Sequence, residues 1–232
     1  LSATIMKLTN SAYFSLPTQM TSIRKAVQFL GLESIRSLVA VDGLFKPANV
    51  SSEIESQIQR ISKESMMIAA LAKKIALSEG LDLAEIEKAF CGGLLGRLGC
   101  VLFLLNSSDE VKEYLLRLQV NSNAILETEK ILFGSTHSEV GAYLLGLWGF
   151  ADSIVEAVLY QHDPSRTGIK SFNATIAVYV AESLLVHSSE ARKGQIYKQE
   201  RAMLNEPYIR GLGKLDRIPI WIDLCKTSES FY

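Results

Sequence analysis

Histidine is the side chain that most often moves protons or binds metals near neutral pH, and this chain has three, His137, His162 and His187. THSEVGAYLL sets His137 in the first turn of a helix with Glu139 two residues on, and YQHDP sets His162 beside Asp163 at a helix end. A histidine beside a carboxylate is a pattern for metal ligation or proton transfer. Each pair also has a structural explanation. Thr136 and Glu139 stand at capping-box spacing, and an imidazolium at the end of a helix suits the helix dipole. His187 reads as an exposed residue of the last long helix. The other unusual stretch is Ala89 to Leu105, AFCGGLLGRLGCVLFLL, where Arg97 is the sole charge among Gly92, Gly93, Gly96 and Gly99. A dinucleotide loop needs a preceding strand, and DLAEIEKAFC is helical in pattern. No Gly-Lys-Ser/Thr follows. The glycines therefore read as sites of close helix packing or bending. No nucleophile stands out: there is no GxSxG or HExxH motif, and Cys91, Cys100 and Cys225 form no CxxC pair and have no basic partner. They read as buried free thiols.

The elements that must position these residues are helical. All five prolines, Pro17, Pro47, Pro164, Pro207 and Pro219, fall at boundaries. Between Pro47 and Pro164, Ile54, Ile58, Ile61, Ile68, Leu71 and Ile75 form one helical stripe. That helix should begin near Ser51 or Ser52 and end at Gly80. Asp82 with Glu85, Ser107 with Glu110 and Thr136 with Glu139 mark further starts. Alternation of the strand type is scarce, so the fold class is all-α with roughly ten helices. Residues 1–47 read as a small N-terminal helical subdomain. Within it SATIMKLTN is the end of a helix, NSAYFSLP a loop and SIRKAVQFLG a helix closed by Gly31. Lys46 to Asn49 is the junction to the main domain, 48–232. Residues 188–206 read as an exposed helix end or loop.

Bulk composition limits the function. Of 232 residues 48% are hydrophobic, enough for a sizeable core. Lys plus Arg number 24 against 25 Asp plus Glu, and that balance gives no electrostatic basis for binding nucleic acid or an anionic membrane. Ala89 to Leu105 falls short of the ~20 apolar residues of a crossing helix and carries Arg97. A cytoplasmic location is the expectation.

Several stretches together resemble the HDOD domain, a bacterial signalling relative of the HD phosphohydrolases. LSATIMKLTNSAYFSLPTQMTSIRKAVQFLGLESIRSLV opens in its pattern, with Asn10, Ser11 and Ala12, then Ser22 and Ile23, then Leu30 and Gly31 at its spacing. SKESMMIAALAKKIA, AFCGGLLGRLG, EKILFGSTHSEVGAYLLGLWGFADSIVEAVLYQHDP and a helix at 171–187 follow in order. The similarity runs to about Ser188. The family carries additional helices before this point, so the resemblance implies that the native start precedes Leu1. It implies an HD-like helical bundle with a smaller N-terminal helical subdomain.

HD enzymes bind a catalytic metal through a His-Asp pair in a GLLHDxG context, and the matching residues here are Gly96 and Arg97. Glycine has no ligand atom and a guanidinium repels a divalent cation. The helix SKESMMIAA lacks the histidine that the resemblance would place there, and the HH pair of many relatives reads Gln161-His162. His137 and His162 remain as residual metal candidates, with Asp163 or Glu129 beside them. The expectation is therefore no catalytic residue, no cofactor and no metal, with Arg97 substituting for the lost ion and paired to Asp163 or Glu139. The resemblance implies a non-catalytic signal-transduction module acting through protein contacts or ligand sensing. Its partners would be a signalling protein, other domains of the same chain or a nucleotide messenger. Tyr13, Phe14 and Leu16, with Trp148 and Phe150, are contact candidates, and packing between the two helical pieces is their structural explanation. The alternative is a metal-dependent phosphohydrolase acting on a nucleotide or cyclic dinucleotide.

Overall fold

The computed structural model describes residues 22–45, 50–106, 109–120, 125–191 and 204–229. Among the described residues every regular element is helical. Asn10, Ser11 and Ala12, the aromatic loop at 13–16, the Lys46 to Asn49 junction, the Ser107 cap and most of 188–206 lie outside them.

The first two helices, α1 (Ile23–Leu30) and α2 (Leu32–Leu44), meet at Gly31, whose φ of +82° is a conformation most side chains avoid. The long α3 (Ser52–Ser78) starts at Ser51, whose hydroxyl accepts from the Ile54 N–H at 3.3 Å. Its apolar stripe from Ile58 to Ile75 is buried as the spacing predicts, and Gly80, φ +72°, follows its end. Asp82 caps α4 (Leu83–Leu95) through the Glu85 N–H. A turn at Gly96 and Arg97 then separates α4 from α5 (Leu98–Leu105). Leu83–Leu105 has the length and hydropathy of a membrane crossing, but 78% of its most apolar window is buried inside the fold.

Next come α6 (Asp109–Val120), α7 (Ile125–Phe133), α8 (His137–Leu147) and α9 (Asp152–Leu159). Thr136 and Glu139 form the capping box that their spacing predicts. A 3-10 turn at Pro164–Thr167 leads to α10 (Ala174–Ala191), which starts later than its sequence pattern suggests. Asn173 sets the boundary by accepting the Ile176 N–H at 3.1 Å. Finally α11 (Glu206–Gly211) and α12 (Ile218–Glu229) close the described chain.

Helix α4 is the hub, packed against α2, α3, α9 and α10. One apolar cluster joins Leu30, Leu38 and Phe45 of the N-terminal helices to Leu95, Leu98, Leu104 and Leu145. A second joins Leu71 and Ile75 to Ala177, Val180, Ile209 and Trp221. Glu79, at the end of α3, ties the last helix down. It accepts from Lys214 Nζ at 2.7 Å, Arg217 Nε at 2.7 Å and Trp221 Nε1 at 2.9 Å. Of the aromatic contact candidates, Phe150 is buried beneath the Arg36 guanidinium, 4.4 Å from its ring centre, and Trp148 is exposed.

Candidate functional site

Gly96 and Arg97 lie where α4 breaks, facing α8 and the end of α9. Gly99 lets this turn come close to α8, because a Cβ there would collide with the backbone carbonyl of His137. A Cβ at Gly96 would meet the Gln161 side-chain oxygen. Gln161 is buried, and its Nε2 donates to the Gly96 carbonyl at 2.8 Å and to Ser138 Oγ at 3.0 Å.

Arg97 turns toward α10 and α3. Its Nη2 donates to Glu182 Oε1 at 2.6 Å, and its Nη1 lies 3.4 Å from Glu64 Oε2. The side chains of Arg97 and Glu182 are only 16% and 4% exposed, so solvent screens this pair weakly. Burial works against the guanidinium charge, but the two glutamates outweigh it and raise the Arg97 pKa further. This pairing corrects the expected one. Glu139 is taken up by Lys130 Nζ at 2.8 Å and by its own helix cap, and Asp163 accepts from the Ser165 hydroxyl. The chain reaches these carboxylates from α8 and from the loop after α9, whereas the arginine points into the gap between α3 and α10. Arg97 Nε and Glu182 Oε2, both buried, find no protein partner among the described residues.

His137 and His162 are brought together: their Nε2 atoms are 3.0 Å apart and their rings meet edge to face. Behind His137 lies a buried polar knot. Its Nδ1 is 2.8 Å from Glu129 Oε2 and its backbone N–H donates to the same oxygen at 2.8 Å. Tyr114 donates its hydroxyl to Glu129 Oε1 at 2.7 Å. Burial opposes a charge on His137, but Cys100 and Glu129 outweigh it and hold its pKa well above the ordinary histidine value. The Glu129 carboxyl is held low against its own burial, by His137 first and then Tyr114. His162 is pushed the other way, by burial and then by the positive charges of His137 and Arg97. These opposite shifts favour a proton on His137, which then donates from Nδ1 to Glu129 and from Nε2 to His162. His187 falls within α10, but its side chain lies outside the described set.

Sequence reading missed several residues here. Glu182 is the lone charge in the apolar run Ala174 to Leu185, the same signal that singles out Arg97. Glu64 stands in SKESMMIAA, the stretch without the histidine that the resemblance would place there. Tyr114 and Cys100 carry no local signal, since only the fold brings them to Glu129.

The HDOD domain family model matches residues 1–164. An uncharacterized protein of Treponema pallidum (strain Nichols) is 25% identical over 162 residues, which is 68% of this chain and 30% of that protein. The chain thus spans less than a third of the length of this curated relative. Among solved structures, an HDOD domain protein of unknown function from Geobacter sulfurreducens is 24% identical, with TM-score 0.67, covering 100% of this chain and 82% of its own. A Shewanella amazonensis protein whose name proposes a phosphohydrolase is 19% identical, with TM-score 0.66, covering 100% and 78%. At these identities the two structures establish a common fold.

Proposed function

The chain belongs to the HDOD domain family, and from that premise we propose that it is a non-catalytic signalling module. The observation that carries this reading is the Arg97 guanidinium, held between Glu182 at 2.6 Å and Glu64 at 3.4 Å. Relatives that hydrolyse phosphoesters need a metal here to activate water and neutralise phosphate charge. The residues present do not fit that ion. Gly96 offers no ligand atom and Arg97 is a permanent cation. The two nearest carboxylates are already engaged by that cation, and His162 lies within reach of its field. The ion pair holds the old metal's place between α3 and α10 and keeps the cleft closed.

Output then passes through surfaces or through a ligand that alters the cleft. Arg97 Nε and Glu182 Oε2, buried with hydrogen-bonding capacity to spare, support a ligand-sensing form of the module. A nucleotide messenger is the ligand class to try first, with a signalling protein or another domain of the same chain as partner. A bacterial, cytoplasmic setting goes with this reading.

Turnover decides between this reading and the phosphohydrolase alternative. The chain, supplied in turn with manganese, iron and magnesium, is assayed on bis-p-nitrophenyl phosphate and on cyclic dinucleotides. The expected result is no product above the metal-only background. Metal-dependent product that disappears in His162→Ala would return the chain to the phosphohydrolases.

A further inference from the structure

We propose that Cys100, Glu129 and His137 form a buried, three-ligand zinc-type metal site on the Nδ1 side of His137. Their ligand atoms, a thiol sulfur, a carboxylate oxygen and an imidazole nitrogen, lie within 4.8 Å of one another, and all three residues are buried. They come from three helices, α5, α7 and α8, so the site is fixed by the fold. Sulfur, imidazole and carboxylate together suit zinc better than magnesium, calcium or manganese.

The surroundings are those a metal site needs. Tyr114 holds the second oxygen of Glu129 at 2.7 Å, and His162 engages the far nitrogen of His137 at 3.0 Å. Such outer partners fix the orientation of metal ligands. The site lies on the Nδ1 side of His137, which faces Glu129, whereas His162 stands on its Nε2 side. A tetrahedral zinc, with water as its fourth ligand, would set nitrogen and oxygen about 3.3 Å apart and sulfur about 3.6 Å from either. Binding would have to widen the present 2.8 Å contact between His137 Nδ1 and Glu129 Oε2.

This site departs from the expectation, drawn from the Gly96-Arg97 pair, that the chain carries no metal.

The probe is cobalt. The full chain is unfolded, refolded with Co²⁺ under reducing, oxygen-free conditions and dialysed, and its absorption spectrum is recorded. The expected result is near-stoichiometric cobalt with a sulfur-to-metal charge-transfer band and tetrahedral visible bands, both removed by zinc and lost in Cys100→Ala. A variant with Cys91→Ala and Cys225→Ala keeps the spectrum, and decides the matter if Cys100→Ala does not fold. Refolded chain without a sulfur band overturns the site. Weak octahedral cobalt bands, the signature of a His137–His162 ion, overturn it as well, and so does a sulfur band that persists without Cys100.

Discussion

Gln161 donates its Nε2–H to the Gly96 carbonyl at 2.8 Å, and the oxygen of the same amide fills the space where a side chain at position 96 would begin. Two positions 65 residues apart in sequence are thus one feature in space. A side chain at 96 and the glutamine at 161 would compete for the same room. Changing only one of them is therefore costly. Gly96→His should destabilise the chain by about 1–3 kcal/mol through overpacking against Gln161. Adding Gln161→Ala should recover a measurable part of that loss. Urea unfolding of the two variants checks this.

Stability should fall on both sides of neutrality in metal-free chain. His137 has a raised folded pKa, so its contribution is complete below the ordinary histidine value and is lost as pH rises through the folded one. His162 has a depressed folded pKa, so the unfolded chain takes up its proton first as pH falls below about 6.5. Glu129, held low, loses its contribution in stronger acid still. Urea midpoints measured across pH with a chelator present should show the alkaline decline vanish in His137→Gln and the mild-acid decline shrink in His162→Gln.

Glu79 should prove a structural anchor with no part in the cleft. Its carboxylate holds Lys214, Arg217 and the Trp221 indole, and its side chain is 1% exposed. Glu79→Ala leaves Arg217 and Lys214 without their buried partner and should cost about 3–5 kcal/mol. Trp221 fluorescence should report α12 loosening before the rest of the chain unfolds.

How far the sequence is legible depends on distance along the chain. The buried stripe of α3 and the Thr136–Glu139 capping box follow from contacts within a few residues, and pattern reading finds them; the glycines of 92–99 signal close packing or bending, and the structure places the break at Gly96-Arg97. The meeting of His137 with His162 follows from the family resemblance. The partners of Arg97 do not. Asp163 and Glu139 stand next to the histidines in sequence, but helix direction sends Arg97 toward α3 and α10, where Glu64 and Glu182 wait 33 residues before it and 85 after it. The knot of Tyr114, Glu129 and Cys100 draws on three helices and has no linear signature.

The proposed function requires the Arg97–Glu182 ion pair to hold the cleft between α3 and α10. A double-mutant cycle on Arg97 and Glu182, read by urea unfolding, tests it most directly. Arg97→Met alone strands Glu182 in the interior and should cost about 3–5 kcal/mol, and Glu182→Met alone a similar amount. Together the two changes should cost far less than their sum, giving a coupling of roughly 1.5–3 kcal/mol. Additive or negligible losses would contradict the account, because the guanidinium would then contribute nothing to the cleft beyond its own packing.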